Sequence, residues 1–200
     1  MLSHLDYSSF QLINHMAISD QFLNPFMIML AEKAQYLFFL GIIIYWFFQK
    51  KKNNRRMVIE AIISAGIALG LNVLIGLFIY RDRPFVTHHV NWLIPHVKND
   101  SFPSDHATAA FVIATAIWIW RKGAGWLWLL LAAGIALSRV WTGVHYPLDV
   151  IAGMVIGVGT ALLVHTILAR WQWGNRMIQS IIAFYEKLEH MLLKRKSISR

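Results

Sequence analysis

Ser138-Arg139-Val140-Trp141-Thr142-Gly143-Val144-His145-Tyr146-Pro147-Leu148-Asp149 is a polar island between two long apolar runs, and the rest of the chain takes its sense from it. Pro147 lacks a backbone donor and suits the first turn of a helix, so a helix is predicted to start there and run through Val150 to Ala169. His145 then sits at its mouth. Asp149 follows His145 by four residues, a spacing that lets a carboxylate reach back to an imidazole and orient one ring nitrogen. The other nitrogen stays free. A free imidazole beside an arginine is what nucleophilic attack on a phosphoryl group requires, because Arg139 can neutralise the oxygens that repel the nucleophile. The plainer reading is a capping histidine and a snorkelling arginine, and on this segment alone the two stand even. The balance tips because Arg83-Pro84 and Pro103-Ser104-Asp105-His106 are predicted to lie on the same side of a membrane.

That there is a membrane follows from composition. The chain has 200 residues, 57% hydrophobic and 14% charged, too apolar for an ordinary water-soluble domain and long enough for one domain. The net charge of +9 comes from Lys and Arg in short runs between apolar segments, which suits orientation in a bilayer and argues against nucleic-acid binding. With no cysteine, a disulfide framework and a thiolate metal site are both excluded. The N-terminus, with Asp6 and no basic start, does not read as a cleaved signal peptide.

Residues 1 to 23 mix Leu5, Phe10, Leu12, Ile13 and Phe22 with polar residues, as in a helix lying in the interface. Five apolar runs follow: Pro25 to Phe48, interrupted by Glu32 and Lys33; Met57 to Tyr80; Ala107 to Trp120; Trp126 to about Ser138; and Tyr146 to Ala169. The third is short for a span unless it starts at Asp105 with Ser104 as its N-cap. Residues 175 to 196 read as a second interfacial helix, ending in Lys194-Arg195-Lys196. The predicted fold is an all-α membrane protein of five or six helices, a spanning bundle with interfacial helices at both ends, forming a single domain over 1 to 200.

The Lys50-Lys51-Lys52-Asn53-Asn54-Arg55-Arg56 loop, Arg121-Lys122 and the C-terminal tail fall on one side, which the positive-inside rule makes cytoplasmic. Parity puts the 81 to 104 loop, His106 and the 139 to 147 loop outside. Gly153, Gly157 and Gly159 read as sites of close helix packing. His165 and Glu60 read as a satisfied packing residue and a snorkelling carboxylate. Glu32, a carboxylate within an apolar run, is a functional candidate by default. Trp126, Trp128, Trp171 and Trp173 suit an interfacial belt.

Together, Arg83-Pro84, Pro103-Ser104-Asp105-His106 and Ser138-Arg139-x5-His145-x3-Asp149 resemble the three signature motifs of the type 2 phosphatidic acid phosphatase superfamily, the third in full. The resemblance covers residues 57 to about 165, and the whole length is similar to bacterial undecaprenyl pyrophosphate phosphatases of the bacitracin-resistance type. It implies a multi-pass enzyme of the cell membrane acting on a polyprenyl diphosphate, with no metal or other cofactor. It implies further that His145 forms a phosphohistidine supported by Asp149, and that His106 protonates the leaving oxygen and later activates water. Arg83, Arg139, the Ser104 hydroxyl and the backbone at Asp105 would hold the phosphoryl oxygens.

The chain departs from the family pattern at two positions. Gly76 stands where a lysine is usual, which makes Arg81 a candidate replacement for its charge. Asp105 stands where glycine is usual, which calls for a partner among Arg81, Arg83 and the histidines. Other classes compatible with these residues are a phosphatidic acid or phosphatidylglycerophosphate phosphatase; a metallohydrolase using His88, His89, His96, His106 and Asp149; and a lipid transporter with Arg83, Arg139 and Glu32 lining a path.

Overall fold

The computed structural model describes residues 2–47 and 52–198. Its helices are α1 (Leu2–Ser19), α2 (Asn24–Glu32), α3 (Gln35–Phe47), α4 (Lys52–Gly76), α5 (Pro84–Thr87), α6 (Asp105–Trp120), α7 (Lys122–Trp141), α8 (Pro147–Arg170) and α9 (Gln172–Ile198). Three of them, α4, α7 and α8, are each long and apolar enough to cross a membrane. The expected first crossing is instead a broken one: α2 and α3 meet at a bend of 49°. The break follows Glu32, the first of the two charges that interrupt the apolar run. The expected third crossing is the 16-residue α6, which does begin at Asp105 after Ser104 but is not among the helices long enough to cross.

The centre of the bundle is α6, packed on α8, α7 and α4. The close approach of α6 and α8 rests on two of the three expected glycines. A Cβ on Gly153 would lie 2.7 Å from the Ser104 carbonyl, and one on Gly157 2.7 Å from that of Thr108. Gly159 faces open space, so the packing role expected for it does not hold. Buried Ala107, Ala110, Phe111 and Ala114 of α6 meet Ala132, Ile135 and Val140 of α7 and Val150 of α8 in the main core.

Neither end of the chain is merely a surface helix. On α1, Phe10, Ala17, Asp6 and Asn14 are buried, so one face of that helix is part of the body. Asn14 clasps the polar loop: its amide donates to the carbonyls of Asn91 (2.9 Å) and Trp141 (2.8 Å), while its oxygen accepts from the Asn91 backbone N–H (2.9 Å). Gly143 completes the junction, with φ +81° and room for only a hydrogen where a Cβ would lie 2.7 Å from the Asn91 carbonyl. On α9, Glu186 and Glu189 receive the two amino groups of Arg55, at 3.0 and 2.7 Å.

The basic segment was expected to be a loop, yet Lys52 to Arg56 form the first turns of α4, with Arg55 buried. Lys50 and Lys51 lie outside the described residues, as do the side chains of Lys194, Arg195 and Lys196. Glu60 does not snorkel. It is 2% exposed and accepts from Arg56 (2.9 Å) and from Trp120 Nε1 (2.8 Å), and it meets His165 Nδ1 at 2.8 Å. His165 is accordingly a satisfied packing residue. Trp126, Trp171 and Trp173 are exposed, as a belt requires, whereas Trp128 packs on Phe38 and donates to the Tyr45 hydroxyl at 3.4 Å.

Candidate active site

Pro147 takes the first turn of α8 with Tyr146 as N-cap, as its missing donor dictates. Asp149, fully buried, accepts from the Tyr146 backbone N–H at 2.8 Å and so fixes the helix start directly beside His145. The direct His145 Nδ1 to Asp149 Oδ2 separation is 3.5 Å, long for a hydrogen bond. The Ser101 hydroxyl stands between them, donating to Asp149 Oδ2 at 2.5 Å and lying 3.3 Å from His145 Nδ1. With its proton given to Asp149, the Ser101 oxygen can only accept from the ring. That places the imidazole proton on Nδ1 and leaves the lone pair on Nε2. No spacing rule pointed to Ser101, because it reaches the pair from the polar loop across 44 residues of sequence.

Arg83 faces that lone pair, its Nη1 lying 3.0 Å from His145 Nε2 and donating to the Val144 carbonyl at 3.0 Å. The rest of its guanidinium is held by Asn99 Oδ1 (2.9 Å) and the Asp100 carbonyl (3.0 Å). Arg139, in the last turn of α7 and 2% exposed, donates Nη1 to the Ala31 carbonyl at 3.1 Å. Its Nε and Nη2 are buried without a hydrogen-bond partner among the described residues, and so is the Ser104 hydroxyl. Leaving a donor buried and unpaired is costly, most of all on a charged group, so these two guanidinium nitrogens and one hydroxyl mark a site built for an anion. Ser104 does precede α6, but its side chain makes no cap bond and is open for that purpose. The first backbone N–H groups of α6, from Asp105 on, add the positive end of a helix.

Burial pushes the His145 imidazole well below the ordinary histidine range, and the charges of Arg139 and Arg83 push it further. It is a neutral base in the resting protein. His106, half-buried at the start of α6, stands within electrostatic reach of Arg139, His145, His96 and Arg83. It also lines a cavity of about 170 Å³ with Asp105, Gln35, Phe38, Phe39 and Leu69. His96 is a further histidine at the site, its ring edge-on to His145 at 6.4 Å and its Nδ1 3.1 Å from the Val97 carbonyl. Its pKa is lowered by burial, with Arg83 and Arg139 adding to the effect.

Two expectations about charge are corrected. Arg81 does not take the place of the lysine missing at Gly76: its Nη1 donates to Asp149 Oδ1 at 2.8 Å and its Nη2 to Asp6. A side chain at Gly76 would require Asp100 to shift, since a Cβ there would lie 2.7 Å from Asp100 Oδ2. Asp105 is paired with none of the groups expected. Its Oδ1 accepts from Asn72 Nδ2 at 2.8 Å, an amide that also donates to Thr108 Oγ1 at 2.9 Å.

The ligand set of a metallohydrolase does not assemble among the described residues. His88 packs its ring on Tyr7 at 4.1 Å, and no three His, Asp or Glu side chains among the described residues gather as metal ligands would. Arg83 is tied to His145, and Glu32, 3.8 Å from Lys33 at the break between α2 and α3, stands within electrostatic reach of Arg139.

A helical membrane bundle that gathers two arginines, an oriented histidine and a helix start in this order defines a class, and the chain belongs to it: the PAP2 superfamily, whose family model matches residues 57–173. Among its relatives, the bacitracin transport permease protein BcrC of Bacillus licheniformis is 39% identical over 98% of this chain and 95% of its own length. The undecaprenyl-diphosphatase BcrC of Bacillus subtilis is 30% identical over 96% of this chain and 97% of its own. Among solved structures, LpxE of Aquifex aeolicus superposes with a TM-score of 0.66 at 26% identity, covering 81% of this chain and 95% of that one.

Proposed function

We propose that this chain is an undecaprenyl-diphosphatase, hydrolysing the lipid diphosphate to its monophosphate and inorganic phosphate at a site on the extracytoplasmic face of the cell membrane. The full-length similarity to the Bacillus subtilis undecaprenyl-diphosphatase supports the substrate. The observation that carries the chemistry is the set of open donors on Arg139 and Ser104 beside a histidine whose unprotonated nitrogen is Nε2, met in the resting site by Arg83 at 3.0 Å.

With the terminal phosphate on those donors, Nε2 of His145 attacks phosphorus and the bond to the bridging oxygen breaks. The lipid monophosphate leaves with a proton from His106. The ring now carries phosphate on Nε2 and a proton on Nδ1, a cation supported by Ser101 and Asp149. Water then gives a proton to His106 and attacks phosphorus, the N–P bond breaks, and phosphate and neutral His145 are restored. Arg83 and Arg139 neutralise the oxygens throughout, a task for which guanidinium forks are well shaped.

The test is phosphate release by the purified protein from undecaprenyl diphosphate, phosphatidic acid and phosphatidylglycerophosphate, with and without EDTA. The diphosphate should be turned over with the highest kcat/KM and without loss on chelation. A preference for a phosphomonoester lipid would move the protein to another branch of the superfamily, and loss on chelation would overturn the arginine-based mechanism. Labelling with a membrane-impermeant reagent tests the facing: a tag at 88 to 100 should react in intact cells.

A further inference from the structure

Asp6 lies on α1, outside the 57–173 segment that matches the family, and yet it is two hydrogen bonds, through Arg81, from the Asp149 that supports His145. Its side chain is 1% exposed, and its Oδ1 accepts from the Leu148 backbone N–H at 2.9 Å, in the first turn of α8. Its Oδ2 accepts from Arg81 Nη2, and the other amino group of Arg81 donates to Asp149 Oδ1 at 2.8 Å. Arg81 thus has a buried carboxylate on each prong and the Tyr146 ring below it at 3.8 Å.

The charges in this row decide its use. Asp149 supports the imidazolium that forms when His145 takes the phosphoryl group, an effect that depends on its negative charge. Paired with Arg81 alone, that charge would be cancelled at source, since the two groups are in direct contact. Asp6 offsets Arg81. The row of Asp6, Arg81 and Asp149 therefore carries one net negative charge toward His145, held rigid by a guanidinium fork.

We propose that α1 is part of the catalytic apparatus, Asp6 being a positioning residue that acts through Arg81 so that Asp149 faces His145 with its charge uncancelled. This rests on His145 being the nucleophile. The proposal makes an unusual prediction about charge: removing Asp6 leaves the row neutral, and removing Arg81 as well returns it to one negative charge.

The experiment compares purified full-length Asp6→Asn, Asp6→Asn/Arg81→Gln, Asp6→Glu and His145→Ala with the parent protein. It reads kcat and KM for phosphate release from undecaprenyl diphosphate, together with the rate of phosphoenzyme formation by rapid quench. Asp6→Asn should lower kcat and the phosphorylation rate about 10-fold with KM little changed, the low end of what loss of a residue orienting a functional histidine costs. The double variant should recover most of that loss, and Asp6→Glu, which keeps the charge while disturbing the bond to Leu148, should stay near the parent. An Asp6→Asn enzyme with parental kcat would overturn the proposal. So would a double variant, or an Asp6→Glu enzyme, as slow as Asp6→Asn, because a purely structural tether gives that result. An active His145→Ala enzyme would instead remove the nucleophile assignment itself, which separates the two failures.

Discussion

Two histidines of this protein sit beside buried carboxylates, His145 with Asp149 at the start of α8 and His165 with Glu60 toward its end. The 18 residue steps from Pro147 to His165 cover about 27 Å along α8, close to the thickness of a bilayer's hydrocarbon. Around Glu60 the accounts close: Arg56 meets one oxygen, and Trp120 and His165 the other. Around His145 they do not, because Arg139 keeps two buried donors and Ser104 one without partners. A histidine and a carboxylate within reach of each other are therefore poor evidence of catalysis. Unsatisfied donors of one sign beside a lone pair are good evidence.

The sharpest way to break this contrast is to truncate each histidine. His145→Ala should lose at least about 10⁴-fold in kcat, the loss typical of removing a nucleophile, whereas His165→Ala should stay within about threefold. Comparable losses at both would mean that the open donors do not distinguish the two ends. Next in size is Arg139→Lys, which keeps the charge but not the fork. It should cost about 10² to 10³ in kcat, as the loss of a transition-state donor does. A near-parental rate would deny that its unpartnered nitrogens bind the phosphoryl group.

The third prediction concerns acid. Native His145 refuses a proton that the unfolded chain accepts below about 6.5, so its contribution to stability is full above that pH and is lost as pH falls toward its depressed native value. The slope is at most about 1.4 kcal/mol per pH unit for one such group. Unfolding temperature in detergent should fall from pH 7 to pH 5, and less steeply in His145→Gln. An unchanged slope in that variant would show that His145 is not the buried base. The smallest effect separates two glycines of α8. Gly159→Ala, which meets nothing, should be neutral or stabilise by up to about 1 kcal/mol through helix propensity. Gly153→Ala presses on the Ser104 carbonyl and should reduce both stability and kcat.

What could be read in the sequence was whatever depends on short range. Pro147 announced a helix start, Asp149 four residues on announced the carboxylate, and the glycines at 153 and 157 announced a close neighbour. What could not be read were partners brought together by the fold. Ser101 enters between His145 and Asp149 from a loop, Asp6 arrives from a helix that composition marks only as amphipathic, and Asn72 satisfies Asp105 from the far end of α4. Glu60 misled for the same reason: on its own helix it has only Arg56 within reach, and the partners that bury it, Trp120 and His165, come from α6 and α8. What stands beside Gly76 also shows only in three dimensions, where the Asp100 carboxylate lies 2.7 Å from the position of a Cβ.

The shortness of α6 carries one more consequence. Its 16 residues extend about 24 Å, some 6 Å less than the hydrocarbon of a typical bilayer. Arg121, the single residue between α6 and α7, is tethered by its Nε and Nη2 to Asn54, at 3.0 and 2.8 Å, near the start of α4. If α6 crosses a bilayer with that end at the surface, the shortfall falls at the other end, beneath Ser104 and His106. The floor of the site would then be recessed into the membrane rather than level with it. A lipid phosphate would descend below the plane of its neighbours' head groups to react, while its chain stayed in oil. A phosphate without a chain would have to leave water to make the same journey, so depth by itself selects for anchored substrates.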